Sequence, residues 1–297
     1  MHELRPLRGF LCLNAWMVRI HTRIQLCYDV GLQGADFVFN FQAAHTAQQC
    51  VVSEQLNLHP FWYTQYSVDP VTHNRLLRLK APPGRIEVDY RCTVDVTHHV
   101  QAPAGVPEIP VAQLPAEVLP YLYPSRYCPS DALGPMVMGL FGGMAPGYAR
   151  VQAVQTWVRQ QVKFTPNTSH SGTSALDTLR DRMGVCRDFA HLFIALCRAL
   201  NIPARFATGI DFGADPALGP TDFHAYVEVY LGYRWYLFDP SGTAIPMGFI
   251  RIGTGRDAAD VAFATIFGAI QAARPPVIDV SAEDDPLQGW KPPVHRT

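Results

Sequence analysis

The sequence predicts an α+β fold in two parts. An antiparallel β-sandwich-like domain comes first, then a domain in which one apolar helix packs on an antiparallel sheet. Short β-branched and aromatic runs separated by turn residues fill positions 17–100. The stretch DRMGVCRDFAHLFIALCRALNIPAR, residues 181–205, is apolar with helical periodicity. Three strand-like runs, ARFATGI, HAYVEVY and RWYLFDP, follow it. A length of 297 residues suits two domains, and 48% apolar residues against 16% charged ones can furnish both cores.

Residues 1–16 read as an extension ahead of the folded part. GFLCLNAWMV follows Arg5 and Arg8 as a weak signal peptide would, but Asn14 interrupts it and no small-x-small cleavage site precedes Arg19 and Arg23. Met17 stands as an alternative start. From Met17 to about Val100, VRIHTRIQLCYDV alternates through Val18, Ile20, Thr22, Ile24, Leu26 and Tyr28. DFVFNF, QCVVSEQLNL, FWYTQYSVD and RIEVDYRCTVDV follow as further strands, and DPVTHNRLLRL reads as a turn and a strand. Residues 101–147 are too crowded with proline for regular helix and are expected to wrap the first domain as a connector.

The second domain is expected over 148–270. Val151, Val154, Val158 and Val162 recur at three- and four-residue steps, the stripe of an amphipathic helix. In TSALDTLRDRMG, Ser174 is an N-cap with Asp177 closing a capping box, and Gly184 is a stop. In the next helix Phe189, Phe193, Cys197 and Leu200 form a buried stripe, Asn201 takes the C-cap position and Pro203 blocks continuation. Residues 271–297, with their prolines and charges, are expected as a loosely ordered tail.

Composition narrows the function classes. A formal net charge of −1 calls for neither nucleic acid nor an anionic membrane as partner, and no apolar run has the length of a membrane span. The seven cysteines are odd in number and widely spaced, without C-x-x-C, which argues against a disulfide framework or structural zinc. Most read as small buried hydrophobes in a reducing, cytoplasmic setting. No metal and no cofactor is expected. Cys186, His191, Cys197 and His224 match no common ligand spacing.

One of these thiols sits differently. Cys186 precedes the apolar stripe, at the first turn of its helix, where free amides and the helix dipole favour a thiolate and can hold an oxyanion. Cys197 lies on the stripe and is core. Downstream, DFHAYVEVYLGYRWYLFDPSG reads as a hairpin turning near Leu231-Gly232. Ala225, Val227 and Val229 share one face, and His224, Tyr226 and Glu228 the other. Setting Tyr230 opposite Tyr233 brings His224 directly across from Asp239, with β-carbons roughly 5 Å apart. Asp239 can then orient an imidazole whose second nitrogen serves the thiol. The alternative is a surface His–Asp pair. His191 lies ~140° round the helix from Cys186 and is not the base. Asp188 reads as a cap, Asp222 as a solvated loop carboxylate and Glu228 as a strand-edge charge.

The stretch from Thr173 to Gly242, with GVCRDFA, IPAR, HAYVEV and FDPSG, resembles the transglutaminase-like superfamily. The resemblance implies a papain-like catalytic domain with Cys186 as nucleophile, His224 as general base and acid, and Asp239 as orienting group. RIGTGRDAADVAF and the β-rich residues 17–100 resemble the bacterial branch. Tyr226 stands where that family usually has Trp, which implies an altered pocket shape. The function implied is acyl transfer on protein or peptide amides through a thioester. Water as acceptor gives a peptidase or amidase, and a lysine amine gives a transglutaminase; the bacterial resemblance favours water. No segment resembles the acidic loops of calcium-regulated animal enzymes. A module that keeps the fold but only binds proteins is the alternative, and the oligomeric state is not legible.

Overall fold

The structure, a computed structural model, describes residues 16–213, 217, 221–285, 287 and 289–294. Apart from Trp16, which opens the first strand, the expected N-terminal extension lies outside these residues.

The first domain is one large antiparallel sheet. Its strands are β1 (Trp16–Phe39), β2 (Gln49–His59), β3 (Thr64–Val68), β4 (Arg75–Ala81) and β5 (Gly84–His98). VRIHTRIQLCYDV and DFVF, expected as two strands, are one continuous β1 with a register shift between Val30 and Ala35. Before the shift β1 pairs with β5, and after it with β4. The two halves face one another across a shared interior, where Tyr28 lies 5.6 Å from Phe37 and Phe41 lies 5.6 Å from Tyr90. That is the sandwich-like packing expected, made by bending a single sheet. The alternation held because every second residue of β5, from Ile86 to Val96, is buried.

The connector does not wrap this sheet. It forms short 3₁₀ turns within 111–133 and then helix α1 (Gly134–Phe141). Its Val106, Cys128, Leu133, Val137 and Phe141 pack into the core of the second domain. The apolar residues interleave with prolines, which obscures their common face, and Pro135 is tolerated in the first turn of α1.

Helix α2 (Tyr148–Gln161) follows with Val151, Val154 and Val158 buried as expected. Next come β6 (Lys163–Phe164), α3 (Ala175–Asp181), β7 (Met183–Gly184) and α4 (Cys186–Ala199). The Ser174–Asp177 capping box is present at the start of α3, with the Ser174 amide donating to Asp177 at 3.0 Å. The stop is Arg182, at φ 54°, rather than Gly184. Asn201 takes the left-handed conformation after α4, at φ 60°. Helix α4 is buried on nearly every side, and even Arg198 is inside, where its guanidinium meets the carbonyls of Ala204 and Tyr123.

Helix α4 packs on a four-stranded antiparallel sheet of β8 (Ala204–Asp211), β9 (Phe223–Leu231), β10 (Arg234–Phe238) and β11 (Phe249–Gly255), in the order β10-β9-β8-β11. Strand β11 has no counterpart in the sequence reading. It carries Ile250 and Ile252 into the core of the first domain. The chain then returns to the large sheet. Strands β12 (Ala264–Ala272) and β13 (Val277–Ala282) both pair with β1. The expected loose tail is thus in part an edge strand: Ile278 is buried, and Val280 and Ala282 pack on the same core. Pro275 and Pro276 precede β13, outside its ladder.

Candidate active site

Cys186 is the first helical residue of α4, half-buried, with Val185 as its N-cap. The amides of a first turn lack intrahelical acceptors and point at whatever lies beyond the helix end. The turn itself is held by Asp188, which is fully buried. Its carboxylate accepts the Val185 amide at 2.9 Å and the Ser169 hydroxyl at 2.8 Å. The capping role expected for Asp188 is therefore observed, with Ser169 as a partner the sequence did not announce. Gly184 lets this carboxylate in: a β-carbon there would lie 2.6 Å from that of Asp188.

His224 and Asp239 come from β9 and from the residue after β10. Their expected register is corrected by two residues. Leu231 pairs with Arg234 and Tyr230 with Trp235, so the turn is Gly232-Tyr233, at φ 53° and 62°. A two-residue turn with both central φ values positive matches the twist of the strands it joins. A shift of two preserves the faces. Asp239 stays on the side of His224, diagonal to it rather than opposite, with its Oδ1 at 3.7 Å from Nε2. Ala225, Val227 and Val229 face α4 in the core, as expected.

Asp239 has no exposure, and three donors hold its carboxylate: the Ser241 amide at 2.9 Å, the Ser241 hydroxyl at 2.6 Å and the Ala244 amide at 3.2 Å. Burial would raise its pKa, but His224, Ser241 and Ala244 together hold it down at about 2. The Gln155 side chain of α2 anchors its backbone carbonyl at 2.7 Å. Burial alone would discourage charge on His224. The carboxylate of Asp211, the sulfur of Cys186 and pairing with Asp239 overcome this and raise its pKa well above the ordinary value. Cys186 and His224 line one cavity of about 360 Å³ with Tyr127, Phe206, Phe223 and Phe263.

Asp211 is the residue that sequence reasoning missed. It sits at the end of β8, 2% exposed, with Oδ2 at 3.6 Å from His224 Nδ1. The signal was the alternation of ARFATGID. Gly209 pairs with His224 and Ala207 with Tyr226, so Arg205, Ala207, Gly209 and Asp211 share the face of His224. Tyr226 turns its hydroxyl onto Asp211 at 2.7 Å.

The remaining candidates lie elsewhere. Buried His191 stacks on Tyr127 at 5.0 Å, accepts the Ala258 amide at 3.2 Å, and is kept neutral by burial beside Arg187 and Arg198. Glu228 is no strand-edge charge. It is 1% exposed on a central strand, ion-paired with Arg205 at 2.7 Å and with Arg251. Asp222 is exposed, as expected. Cys197 is fully buried in the core, also as expected.

Two sequence profiles match the chain: the transglutaminase-like superfamily over residues 137–240, and the N-terminal domain of bacterial transglutaminase over residues 18–117. The crystal structure of a candidate cysteine protease from Cytophaga hutchinsonii is 35% identical, covers 92% of each chain and aligns with a TM-score of 0.83. An uncharacterised protein of Mycobacterium leprae is 35% identical over 117 residues, 38% of this chain and 42% of its own. One from Mycobacterium tuberculosis is 32% identical over 143 residues, 42% of this chain and 45% of its own. The matched stretch thus spans less than half the length of these curated relatives. With an alignment over nine-tenths of both chains and profiles covering both of its domains, this chain belongs to the transglutaminase-like superfamily and carries the bacterial transglutaminase type of N-terminal domain.

Proposed function

We propose that this chain is a cysteine-dependent acyl-transfer enzyme acting on protein or peptide amides through a thioester, with water as its acceptor. One observation carries the reading: a thiol at a helix start lines the same cavity as an imidazole flanked by two buried carboxylates. The Cys186 thiolate attacks the amide carbonyl carbon, and the first-turn amides of α4 receive the oxyanion. As the C–N bond breaks, the His224 imidazolium gives its proton to the departing amine. Water then adds to the thioester carbonyl while the now neutral His224 takes its proton, and the carboxylate product leaves as the thiolate re-forms. Asp239 keeps the ring oriented throughout.

The cavity wall favours an apolar side chain next to the scissile amide. Phe206, Phe223, Phe263 and Val261 dominate it. Its one permanent charge among the described residues, Arg187, is already taken up by Ser169 at 2.9 Å and the His170 carbonyl at 3.0 Å, and lies over the Tyr127 ring. The test is to incubate the chain with peptide libraries, with and without added amine, and to measure acyl adducts on Cys186 by mass. Thioester adducts from peptides with aromatic or aliphatic residues, absent in Cys186→Ala, are expected. Alkylation of native Cys186 no faster than that of buried Cys197, with no adduct, would overturn the proposal.

A further inference from the structure

The His224 ring lies between two carboxylates, and the triad accounts for one of them. Asp239 faces Nε2 at 3.7 Å, and Asp211 faces Nδ1 at 3.6 Å. Among the described residues, the Asp211 oxygen turned to the ring is buried without a hydrogen-bond partner, while its other oxygen accepts the Tyr226 hydroxyl at 2.7 Å. A carboxylate held almost wholly out of water is destabilising unless a charge or donors compensate it. An amide would accept from Tyr226 equally well, so packing alone does not explain an acid here. Among the described residues, the groups facing it are His224 and Tyr226 from β9 and Asp239 beyond β10; its partner on β11 is uncharged Phe249. Cys186, from α4, stands against the same ring.

We propose that Asp211 is a positioning residue: tethered by Tyr226, it holds the protonated His224 ring beside Cys186 and keeps the thiolate–imidazolium pair populated to higher pH than Asp239 alone would. The inference rests on Cys186 and His224 being the reacting pair. Tyr226, at the position of the family's usual Trp, is then the tether of a second acid; it is fully buried against Ala207, Ala244 and Phe249 and does not line the cavity. Burial and Asp239 push the Asp211 carboxyl up and His224 and Tyr226 pull it back, leaving it at about 6.

The test is an NMR titration of the His224 ring in the full chain with labelled histidine, the resonance being assigned by its loss in His224→Ala. It requires no turnover. An opposite charge at this range raises an imidazole's midpoint by roughly one to three units. Asp211→Asn, which keeps an acceptor for Tyr226, is expected to lower the midpoint by about one unit or more. Asp211→Glu is expected to restore part of it. Tyr226→Phe removes the donor that favours the charged carboxylate and is expected to shift the midpoint the same way by less. It also serves if Asp211→Asn does not fold. An unchanged midpoint in the folded variants would overturn the proposal even if Cys186 forms thioesters. A shifted midpoint in a chain whose Cys186 never forms one would instead count against the enzymatic reading.

Discussion

Gln49 of β2 grips both backbone groups of Arg251 in β11: its Nε2 donates to the Arg251 carbonyl at 2.8 Å, and its Oε1 accepts the Arg251 amide at 2.8 Å. Nε2 also donates to the Ala44 carbonyl at 2.7 Å, and the side chain is buried. One amide thus satisfies a stretch of β11 that enters a bulge between Arg251 and Gly253. Gln49→Ala strands the Arg251 amide and the Ala44 carbonyl away from water, at about 1–3 kcal/mol for each left unpaired, while the Arg251 carbonyl keeps the Ala44 amide at 2.9 Å. Urea unfolding is expected to show a loss of about 2–4 kcal/mol. A midpoint within experimental error of wild type would mean that the two domains do not depend on this clasp.

Gly184 and Asp188 make a second close pair, and it bears directly on Cys186. A methyl at residue 184 would lie 2.6 Å from the Asp188 β-carbon, so the carboxylate that caps Val185 must move. Gly184→Ala is expected to leave most of the fold in place while misplacing the first turn of α4. Misplacing a reacting group by about 1 Å reduces rate by roughly a hundredfold. The measurement is the rate of iodoacetamide capture at Cys186, set beside the thermal midpoint. A slowed capture with a nearly unchanged midpoint is the expected pattern.

How far the sequence disclosed this site depends on the range of the interaction. Helix α4 and its entry were legible because Phe189, Phe193 and Cys197 mark a local period and Pro203 a local stop. The faces of β9 were legible because strand periodicity is two, and they survived the register error for the same reason. The register was not legible, because the turn puts Tyr233 at φ 62°, which a tyrosine does not advertise. Asp211 and Glu228 were missed or misread because their surroundings come from other strands. Asp211 matters through its place beside His224, and Glu228 is buried through Arg205 and Arg251. The tail was misread because the template for β13 is β1, more than two hundred residues earlier.

Asp239 predicts an acid limb to stability. Its folded pKa is about 2 against an ordinary 3.8. A depressed carboxylate contributes stability fully present above the unfolded value and lost as pH falls from about 4 to about 2. At 1.36 kcal/mol per unit the contribution is roughly 2 kcal/mol. Asp239→Asn is therefore expected to be less stable than wild type at pH 6, with the gap closing by about pH 2. Its activity is expected to fall by two to four orders of magnitude, since the imidazole loses its orienting charge. Chemical unfolding across pH 2–7 and turnover at neutral pH check the two halves separately. A stability gap that persists unchanged at about pH 2 would show that the effect is packing rather than charge.

Strand β13 predicts the result of ending the chain after Ala272. The first half of β1 has β5 along one edge and β13 along the other, with Thr22 opposite Val280 and Ile24 opposite Ile278. Removing β13 uncovers the backbone groups of β1 from Ile20 to Gln25 and takes buried Ile278 out of the core. A bare edge flanked by apolar side chains is a template for pairing with another chain. The shortened protein is expected to unfold at a lower temperature and to associate at concentrations where the full chain does not, in light scattering. Replacing Ile278 alone with Ala keeps the edge covered and isolates the packing part, about 2–5 kcal/mol for a large-to-small core change. If Ile278→Ala lowers stability without association while the truncation associates, the strand serves as an edge cover. If neither change lowers stability, β13 contributes nothing to the stability of the first domain, through its ladder or through Ile278.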